Sequence, residues 1–263
     1  MEILQFDFIQ NAIMAVFLLS ICCGIIGTYI VARRMVFISD GIAHAAFGGI
    51  GIAHFFKFNI FIGAFAFGLI STLITELVIN RFKERKDTII GIVLALGMAI
   101  GITFINLTPG YSDLFGYLFG NILMVNKAEL LYISIFNVIL ITFIAIYFQA
   151  IKTIAFDEDF AVVSGLPVKM LNVCMMIFIT IAIILLIKAV GIILIIAMLT
   201  IPPGIANYFC KDLKKMIFIS IILGIIFGFA GLYFSYNFDL PAGAVIIIVS
   251  AIAYFFFLTF RKI

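Results

Sequence analysis

Apolar residues form long runs along this chain, and polar residues are confined to short intervals between the runs. A helix of about 20 apolar residues crosses a bilayer core, so runs of that length predict membrane spans. The run at residues 35–56 is interrupted only by Asp40 and two histidines. The runs without Asp, Glu, Lys or Arg are residues 8–32, 58–75, 88–108, 130–151, 170–187, 189–210, 216–238 and 240–260. The pattern therefore predicts nine transmembrane helices.

The basic residues predict the orientation of these spans. If the N-terminus is outside, all of the 16 Lys and Arg except Lys57, Lys127 and Lys188 fall on the cytoplasmic side, as the positive-inside rule requires. A further apolar stretch at residues 114–126 is too short for an ordinary span and is typical of a re-entrant segment. We expect it to dip into the membrane from outside, with a tenth span as the alternative. The prediction is a multi-pass protein of the cell membrane with its C-terminus in the cytoplasm.

The composition excludes a soluble protein. The chain is 66% hydrophobic and 11% charged, whereas soluble domains carry about 25% charged residues. Its net charge of +3 comes from short basic clusters between apolar runs, which indicate membrane topology and not nucleic-acid binding. We expect an all-α, polytopic helix bundle that forms one transmembrane domain over residues 1–263 within the lipid bilayer.

Small residues recur at every fourth position of the second run, at Gly41, Ala45, Gly49 and Ala53. Such a stripe lets helices approach closely in lipid, and the pair Gly97–Gly101 in the fourth span has the same spacing. We interpret both as packing surfaces and expect the second span to be buried in the bundle.

Asp40 and His44 are the chemically unusual residues of the chain. Ionisable groups inside a span are costly and usually functional, and Asp40 is the only carboxylate within the nine runs. At a spacing of four, the two side chains share one face of a helix. His44 follows Arg34 by ten residues, which places it roughly 15 Å deep and near the middle of the membrane. Carboxylate and imidazole together suit Zn, Mn or Fe(II).

Three interpretations of this pair stay open from the residues alone: a transported metal ion, a helix–helix hydrogen bond, or a proton relay. Two ligands are too few for a closed structural zinc site, which takes four, but a transport site must also release its ion. If two copies of the chain faced each other, their Asp40 and His44 side chains would form a ring of four ligands. His54, at the outer end of the same run, could receive an incoming cation.

The longest polar interval on the cytoplasmic side, residues 152–170, predicts a short amphipathic helix. Acidic residues favour the first turn of a helix, and a glycine followed two positions later by Pro167 ends it. Such a helix suits docking onto a soluble partner, and an ordinary connecting helix is the alternative. The residues assigned to this segment are Asp157, Glu158, Asp159, Phe160, Ala161 and Gly165.

Four motifs, taken in chain order, resemble the metal-ion permeases of ABC importers, the ABC-3 permeases, over nearly the whole chain. Each motif alone is weak, but their order makes the match fairly specific. They are SDGIAHAAFGGIGIA at residues 39–53, LFGNIL at 118–123, FDEDFAVVSGLPV at 156–168 and KAVGIILIIAMLTIPPGIA at 188–206.

The resemblance implies that Asp40 and His44 line the path of a transported divalent metal ion, either zinc, manganese or iron, with no permanently bound cofactor. It implies that residues 156–168 form the coupling helix that enters a cleft on a cytoplasmic ABC ATPase. It also implies an assembly of two permease copies, two ATPase subunits and one external metal-binding protein.

The chain departs from the family's pattern at two places. Phe47, Gly48 and Gly49 stand where the family often has Leu-Pro-Gly, and Glu158 stands where it often has proline. The first change removes a possible kink from the second span, and both leave the Asp40–His44 pair intact.

Pro202 and Pro203 lie near the cytoplasmic end of the seventh span. Proline in a membrane helix removes a backbone hydrogen bond and kinks or breaks the helix. Because broken helices gather at transport paths, these prolines are candidates for a break near the path, with a simple kink as the alternative.

No GxxxxGK[ST] phosphate loop occurs in the sequence. We therefore expect a transport subunit that is not itself an enzyme, with ATP hydrolysis on a separate chain. Two other classes stay open. A secondary transporter driven by an ion gradient usually shows internal repeats, and we find no convincing repeat. A non-transporting membrane scaffold predicts neither a coupling helix nor a ligand pair inside the membrane.

Overall fold

The computed structural model describes residues 7–82, 86–108 and 120–259. Over these ranges the chain forms ten α-helices and no β-strand, which confirms the all-α prediction. The helices are α1 (Asp7–Ala32), α2 (Val36–Phe55), α3 (Ile60–Phe82), α4 (Lys86–Leu107), α5 (Lys127–Phe156), α6 (Glu158–Val163), α7 (Val168–Val190), α8 (Ile192–Phe209), α9 (Leu213–Phe238) and α10 (Ala242–Thr259).

Within the described ranges, every helix except α6 is long and apolar enough to cross a membrane, and these nine helices confirm the predicted span count. Several helices extend beyond the apolar runs. The helix α3 continues past Thr75, so Glu76 lies inside the candidate span Ile60–Val78. The apolar run therefore predicts the end of this span too early, because a charged residue ends an apolar run but does not end a helix.

Part of the predicted re-entrant segment, residues 114–119, lies outside the described residues. Its described end forms a single 3₁₀ turn at Ile122–Met124, and the Asn121 side chain accepts a hydrogen bond from Leu123 N at 3.1 Å. Gly120 has a φ of +58° and packs directly on the backbone of residues 190–191. A side chain would not fit at Gly120, so the LFGNIL motif keeps a glycine at this contact.

The helices fall into two compact units, each described by itself. The larger unit contains α1, α5, α6, α8, α9, α10 and both ends of α7. In it, α1 approaches its neighbours through glycines: Gly24 contacts Ile221 of α9, and Gly27 contacts Leu199 of α8. The prediction that residues 1–263 form one transmembrane domain stays a prediction.

The smaller unit contains α2, α3, α4 and residues 172–184 of α7. The helix α2 is the buried element, with 72% of its most apolar stretch buried, which confirms the expectation from its small residues. Gly49 lies against the backbone of Gly63 in α3, and Gly51 lies against Gly101 in α4. The small residues therefore let α2 approach both α3 and α4 at backbone contact.

Pro202 and Pro203 both lie inside α8, which continues without interruption to Phe209. The prolines are buried, and the Pro203 ring contacts Gly27 of α1. Proline removes the hydrogen bond to the carbonyl four residues earlier, and for Pro203 that carbonyl belongs to Leu199. The helix therefore accommodates the prolines without a break, and their role at a transport path stays a prediction.

Candidate functional site

Asp40 and His44 lie one turn apart on α2, and their side chains meet. His44 Nε2 is 3.2 Å from Asp40 Oδ1. The two side chains keep 21% and 29% of their surface exposed for His44 and Asp40, respectively. The structure therefore joins the two residues that the sequence singled out, and both side chains stay partly exposed. Their role as metal ligands stays a prediction.

The spacing of these two atoms suits a shared metal ion. An ion that lies about 2.1 Å from both atoms, a usual metal–ligand distance, would subtend an angle of about 100° between ligands that are 3.2 Å apart. This angle lies between the octahedral and the tetrahedral value. The pair can therefore provide two adjacent ligand positions without a change of backbone.

Met98 of α4 contacts the other side of the His44 ring. His44 Nδ1 is 3.1 Å from Met98 Sδ. The two helices can come this close because Gly97 has no side chain: a Cβ there would lie 2.6 Å from Ala45 Cα and 2.7 Å from His44 O. Sequence reasoning missed Met98, although the Gly97–Gly101 spacing had already marked this part of α4 as a packing surface.

Within the described residues, no third His, Cys, Asp or Glu side chain joins Asp40 and His44 to form a cluster. Nor does this part of the chain contain any other group of three or more such side chains placed to hold a metal ion. His54 is ten residues further along α2 than His44, a distance of roughly 15 Å along the helix. The structure therefore does not bring His54 to the Asp40–His44 pair.

A small cavity lies in the same unit, and neither Asp40 nor His44 lines it. Its volume is about 20 Å³, and its lining includes Gly41, Ser71, Thr72, Thr75 and Glu76. This volume holds about one water molecule, which is too little for a hydrated metal ion. Two of its hydroxyls are used in α3 itself, since Thr72 and Thr75 donate to the carbonyls of residues 68 and 71.

The predicted coupling segment contains the short helix α6, as the sequence indicates. Asp157 is its N-cap, and the Asp157 side chain accepts a hydrogen bond from Phe160 N at 2.9 Å. Glu158 in the first turn forms an ion pair with Arg33 at the end of α1. Gly165, two residues after the helix, has a φ of +76° that favours glycine. Pro167 is the N-cap residue of α7.

The apolar residues of α6 divide into one buried and several exposed side chains. Ala161 is fully buried and packs with Ile154, Val168 and Leu171. Phe160 is 60% exposed, and its neighbours at positions 162 and 163 are exposed as well. The helix is therefore fixed to the protein through Ala161 and presents an apolar surface on its other side. Asp159 is also exposed.

The sequence matches a known family and known proteins over nearly its whole length. The sequence model of the ABC 3 transport family matches residues 5–261. An uncharacterised membrane protein of Synechocystis sp. is 42% identical over 262 residues, which cover 99% of this chain and 93% of that protein. The manganese transport system membrane protein MntC of Listeria monocytogenes is 34% identical over 253 residues, which cover 96% of this chain and 90% of MntC.

One solved structure is similar in both fold and sequence. PsaBC from Streptococcus pneumoniae in complex with Fab matches with a TM-score of 0.85 and 32% identity, over 96% of this chain and 91% of the matched chain. The resemblance drawn from the four sequence motifs is thus confirmed, together with the all-helical membrane fold.

Proposed function

The chain belongs to the ABC 3 transport family, and from this premise we propose that it is the permease subunit of an ATP-driven importer of divalent transition-metal ions. The metal ion is the substrate and not a resident cofactor. The relative from Listeria monocytogenes is named for manganese transport, which supports Mn(II) as the first candidate, ahead of Zn(II) and Fe(II).

The observation that carries this proposal is the Asp40–His44 pair inside α2. Its oxygen and nitrogen atoms, 3.2 Å apart, are ligand types that Mn, Zn and Fe(II) accept. Two protein ligands bind weakly enough for the ion to leave again, as transport requires. In a homodimer with α2 of each copy at the symmetry axis, two pairs would supply four ligands during passage.

The second element of the proposal is the helix α6, which we assign to contact with a cytoplasmic ATPase. Its exposed Phe160, Asp157 and Asp159 are available to a partner, whereas Glu158 is paired with Arg33 and Ala161 anchors the helix. ATP binding would draw two ATPase subunits together and move α6. Access to the pair would then switch between the two sides of the membrane, as a population shift between two states.

The proposed assembly has two copies of this permease, two ATPase subunits and one metal-binding protein outside the cell membrane. This chain is then a transport subunit, and ATP is hydrolysed on the separate ATPase chains. The proposed orientation has the N-terminus outside and the C-terminus in the cytoplasm, because most Lys and Arg residues then lie inside.

The proposal is tested by uptake into proteoliposomes that contain the permease with its ATPase, in the presence of the external metal-binding protein. We expect ATP-dependent Mn(II) uptake, and we expect Asp40→Asn and His44→Gln to reduce it at least about tenfold, as loss of groups at a metal site does. The matched control is Asp7→Asn. Asp7 forms an exposed ion pair with Lys127, and neither residue is near Asp40 or His44 in the sequence.

Two results would contradict this function. Full uptake in the Asp40→Asn and His44→Gln variants would show that the ion does not pass the pair. Uptake by the permease alone, driven by an ion gradient and indifferent to ATP, would assign the chain to the secondary transporters.

A further inference from the structure

The His44 ring is held at both of its nitrogen atoms, and the two contacts differ in kind. Nε2 faces the Asp40 carboxylate at 3.2 Å, and Nδ1 faces the Met98 sulfur at 3.1 Å. A neutral imidazole carries one N–H donor and one acceptor nitrogen. The contacts with Asp40 and Met98 therefore determine which of the two ring nitrogens carries the hydrogen.

A thioether sulfur has no hydrogen to donate and accepts hydrogen bonds weakly. The contact between Nδ1 and Met98 is attractive when Nδ1 carries the hydrogen, and it sets two lone pairs against each other when Nδ1 does not. With the hydrogen on Nδ1, the lone pair of Nε2 points at Asp40. Without a cation, the carboxylate is a stronger acceptor than the thioether and favours the hydrogen on Nε2. A cation between Nε2 and Asp40 reverses this preference, and the hydrogen then lies on Nδ1, where the Met98 sulfur accepts it.

We propose that Met98 is a positioning residue for the transported metal ion: its sulfur accepts the Nδ1 hydrogen of His44 and thereby presents Nε2, together with Asp40, to the ion. This inference rests on the proposed function and adds a residue of α4 to it. The partner of the second ring nitrogen determines which nitrogen binds the metal. Usually that partner is a carboxylate, a carbonyl or water.

A thioether suits this task inside an apolar span. A carboxylate or hydroxyl at position 98 would bring further polar atoms that need partners away from water, whereas a thioether packs as an apolar group. In this arrangement the sulfur stays outside the metal's own coordination shell. Thioether ligands favour softer ions such as Cu(I), and carboxylates suit Mn(II), so a sulfur that binds the imidazole and not the metal leaves a site suited to Mn(II).

The test compares three variants of the full permease–ATPase complex. Met98→Leu keeps the volume of the side chain and removes the acceptor. Met98→Gln keeps the length and provides an oxygen acceptor. Met175→Leu, a buried methionine of α7 in the same unit, is the matched control. Each complex is assayed for binding of Mn(II) alone, for ATP-dependent Mn(II) uptake, and for its unfolding temperature in detergent.

We expect Met98→Leu to weaken Mn(II) binding roughly tenfold, the lower end of the loss when a ligand-orienting partner is removed, at an unchanged unfolding temperature. Met98→Gln should recover most of the binding, because its oxygen restores the hydrogen bond, whereas a packing role would not favour glutamine over leucine. Met175→Leu should bind as the wild type does. X-ray absorption of the Mn(II)-loaded wild type should show nitrogen and oxygen neighbours without sulfur.

Wild-type binding by Met98→Leu would overturn the inference, and so would equal losses in the leucine and glutamine variants. A sulfur neighbour of Mn(II) that disappears in Met98→Leu would also overturn it, because Met98 would then be a ligand itself. If the wild-type complex neither binds nor transports Mn(II), the proposed function fails as well, and this result is distinct from an active wild type with an unaffected Met98→Leu.

Discussion

Arg33, at the C-terminal end of α1, is paired with Glu158 in the first turn of α6. Its Nη2 donates to Glu158 Oε2 at 3.0 Å, and its Nη1 donates to Ile154 O at 2.9 Å. Ile154 O is one of the last carbonyls of α5, which have no partner within their own helix. One nearly buried guanidinium thus connects α1, α5 and α6, three helices of the larger unit.

This connection predicts that Glu158→Gln separates ATP hydrolysis from transport. Glu158 is 41% exposed, and glutamine keeps a side-chain oxygen that can accept from Arg33, so we expect the unfolding temperature to fall only slightly. If α6 passes its movement to α1 through Arg33, Mn(II) uptake should fall several-fold while ATP hydrolysis by the complex continues. Both rates are measured on the same proteoliposomes.

The control for this variant is Asp7→Asn, which removes a carboxylate from another ion pair, with Lys127, whose two side chains are largely exposed. It should leave the number of ions imported per ATP unchanged. An unchanged ratio in Glu158→Gln itself would show that the Arg33 contact only holds the helix and does not carry movement.

Substitutions on the exposed and the buried side of α6 should affect different properties: partner binding on the exposed side and stability on the buried side. Phe160→Ala removes an exposed ring, so stability should change by less than about 0.5 kcal/mol. If the ring enters a pocket of the ATPase, binding of the ATPase should weaken by more than about 1 kcal/mol. The affinity of the purified permease for the ATPase, measured by titration in detergent, checks this expectation.

Ala161→Leu provides the comparison. Ala161 is completely buried against Ile154 and Leu171, and extra methylene groups in a packed site cost about 1–3 kcal/mol. This variant should therefore unfold at a lower temperature. Normal ATPase binding by Phe160→Ala would exclude the exposed side of α6 as the docking surface.

Most of the fold could be predicted from the sequence, because the hydropathy of a segment largely determines whether it crosses the membrane. Each span must be apolar over about 20 residues, and the nine spans follow from that requirement alone. Span ends are harder, because a helix continues through charged residues near the membrane surface. Glu76 shows this: it stands inside α3, although the apolar run ends at Thr75.

The candidate site could be predicted only in part, because its members come from different helices. Asp40 and His44 are four residues apart on one helix, so their pairing follows from helix geometry. Met98 and Arg33 contact His44 and Glu158, which lie far from them along the chain. No local pattern identifies such contacts, and an apolar methionine within an apolar run carries no chemical signal of its own.

The ion pair between Lys152 and Asp212 predicts a small dependence of stability on pH. The hydrogen bond from Lys152, at 2.6 Å, lowers the pKa of Asp212 below its ordinary value of 3.8. A carboxyl whose pKa is lowered by folding stabilises the protein above the unfolded pKa and loses this effect as pH falls through the folded pKa. The contribution is therefore complete at neutral pH and disappears in acid below pH 3.8.

We accordingly expect Lys152→Met to unfold at a slightly lower temperature than the wild type at pH 7, with a difference that shrinks below pH 3.8. Thermal unfolding in detergent over a series of pH values measures this. A difference that stays constant into strong acid would mean that Lys152 acts through packing and not through the Asp212 carboxylate.

Two glycines of α4 provide a matched pair of substitutions, because Gly97 lies against His44 and Gly91 has open space around it. A Cβ at Gly97 would lie 2.7 Å from His44 O and 2.6 Å from Ala45 Cα, and because these are backbone atoms, α4 must move away from α2. We expect Gly97→Ala to separate Met98 from His44 and to reduce both the unfolding temperature and Mn(II) uptake. At Gly91 a Cβ meets nothing within 4 Å, so Gly91→Ala should keep uptake and stabilise α4 by about 0.5–1 kcal/mol. Equal uptake by the two variants would show that close contact between α2 and α4 is not needed for transport.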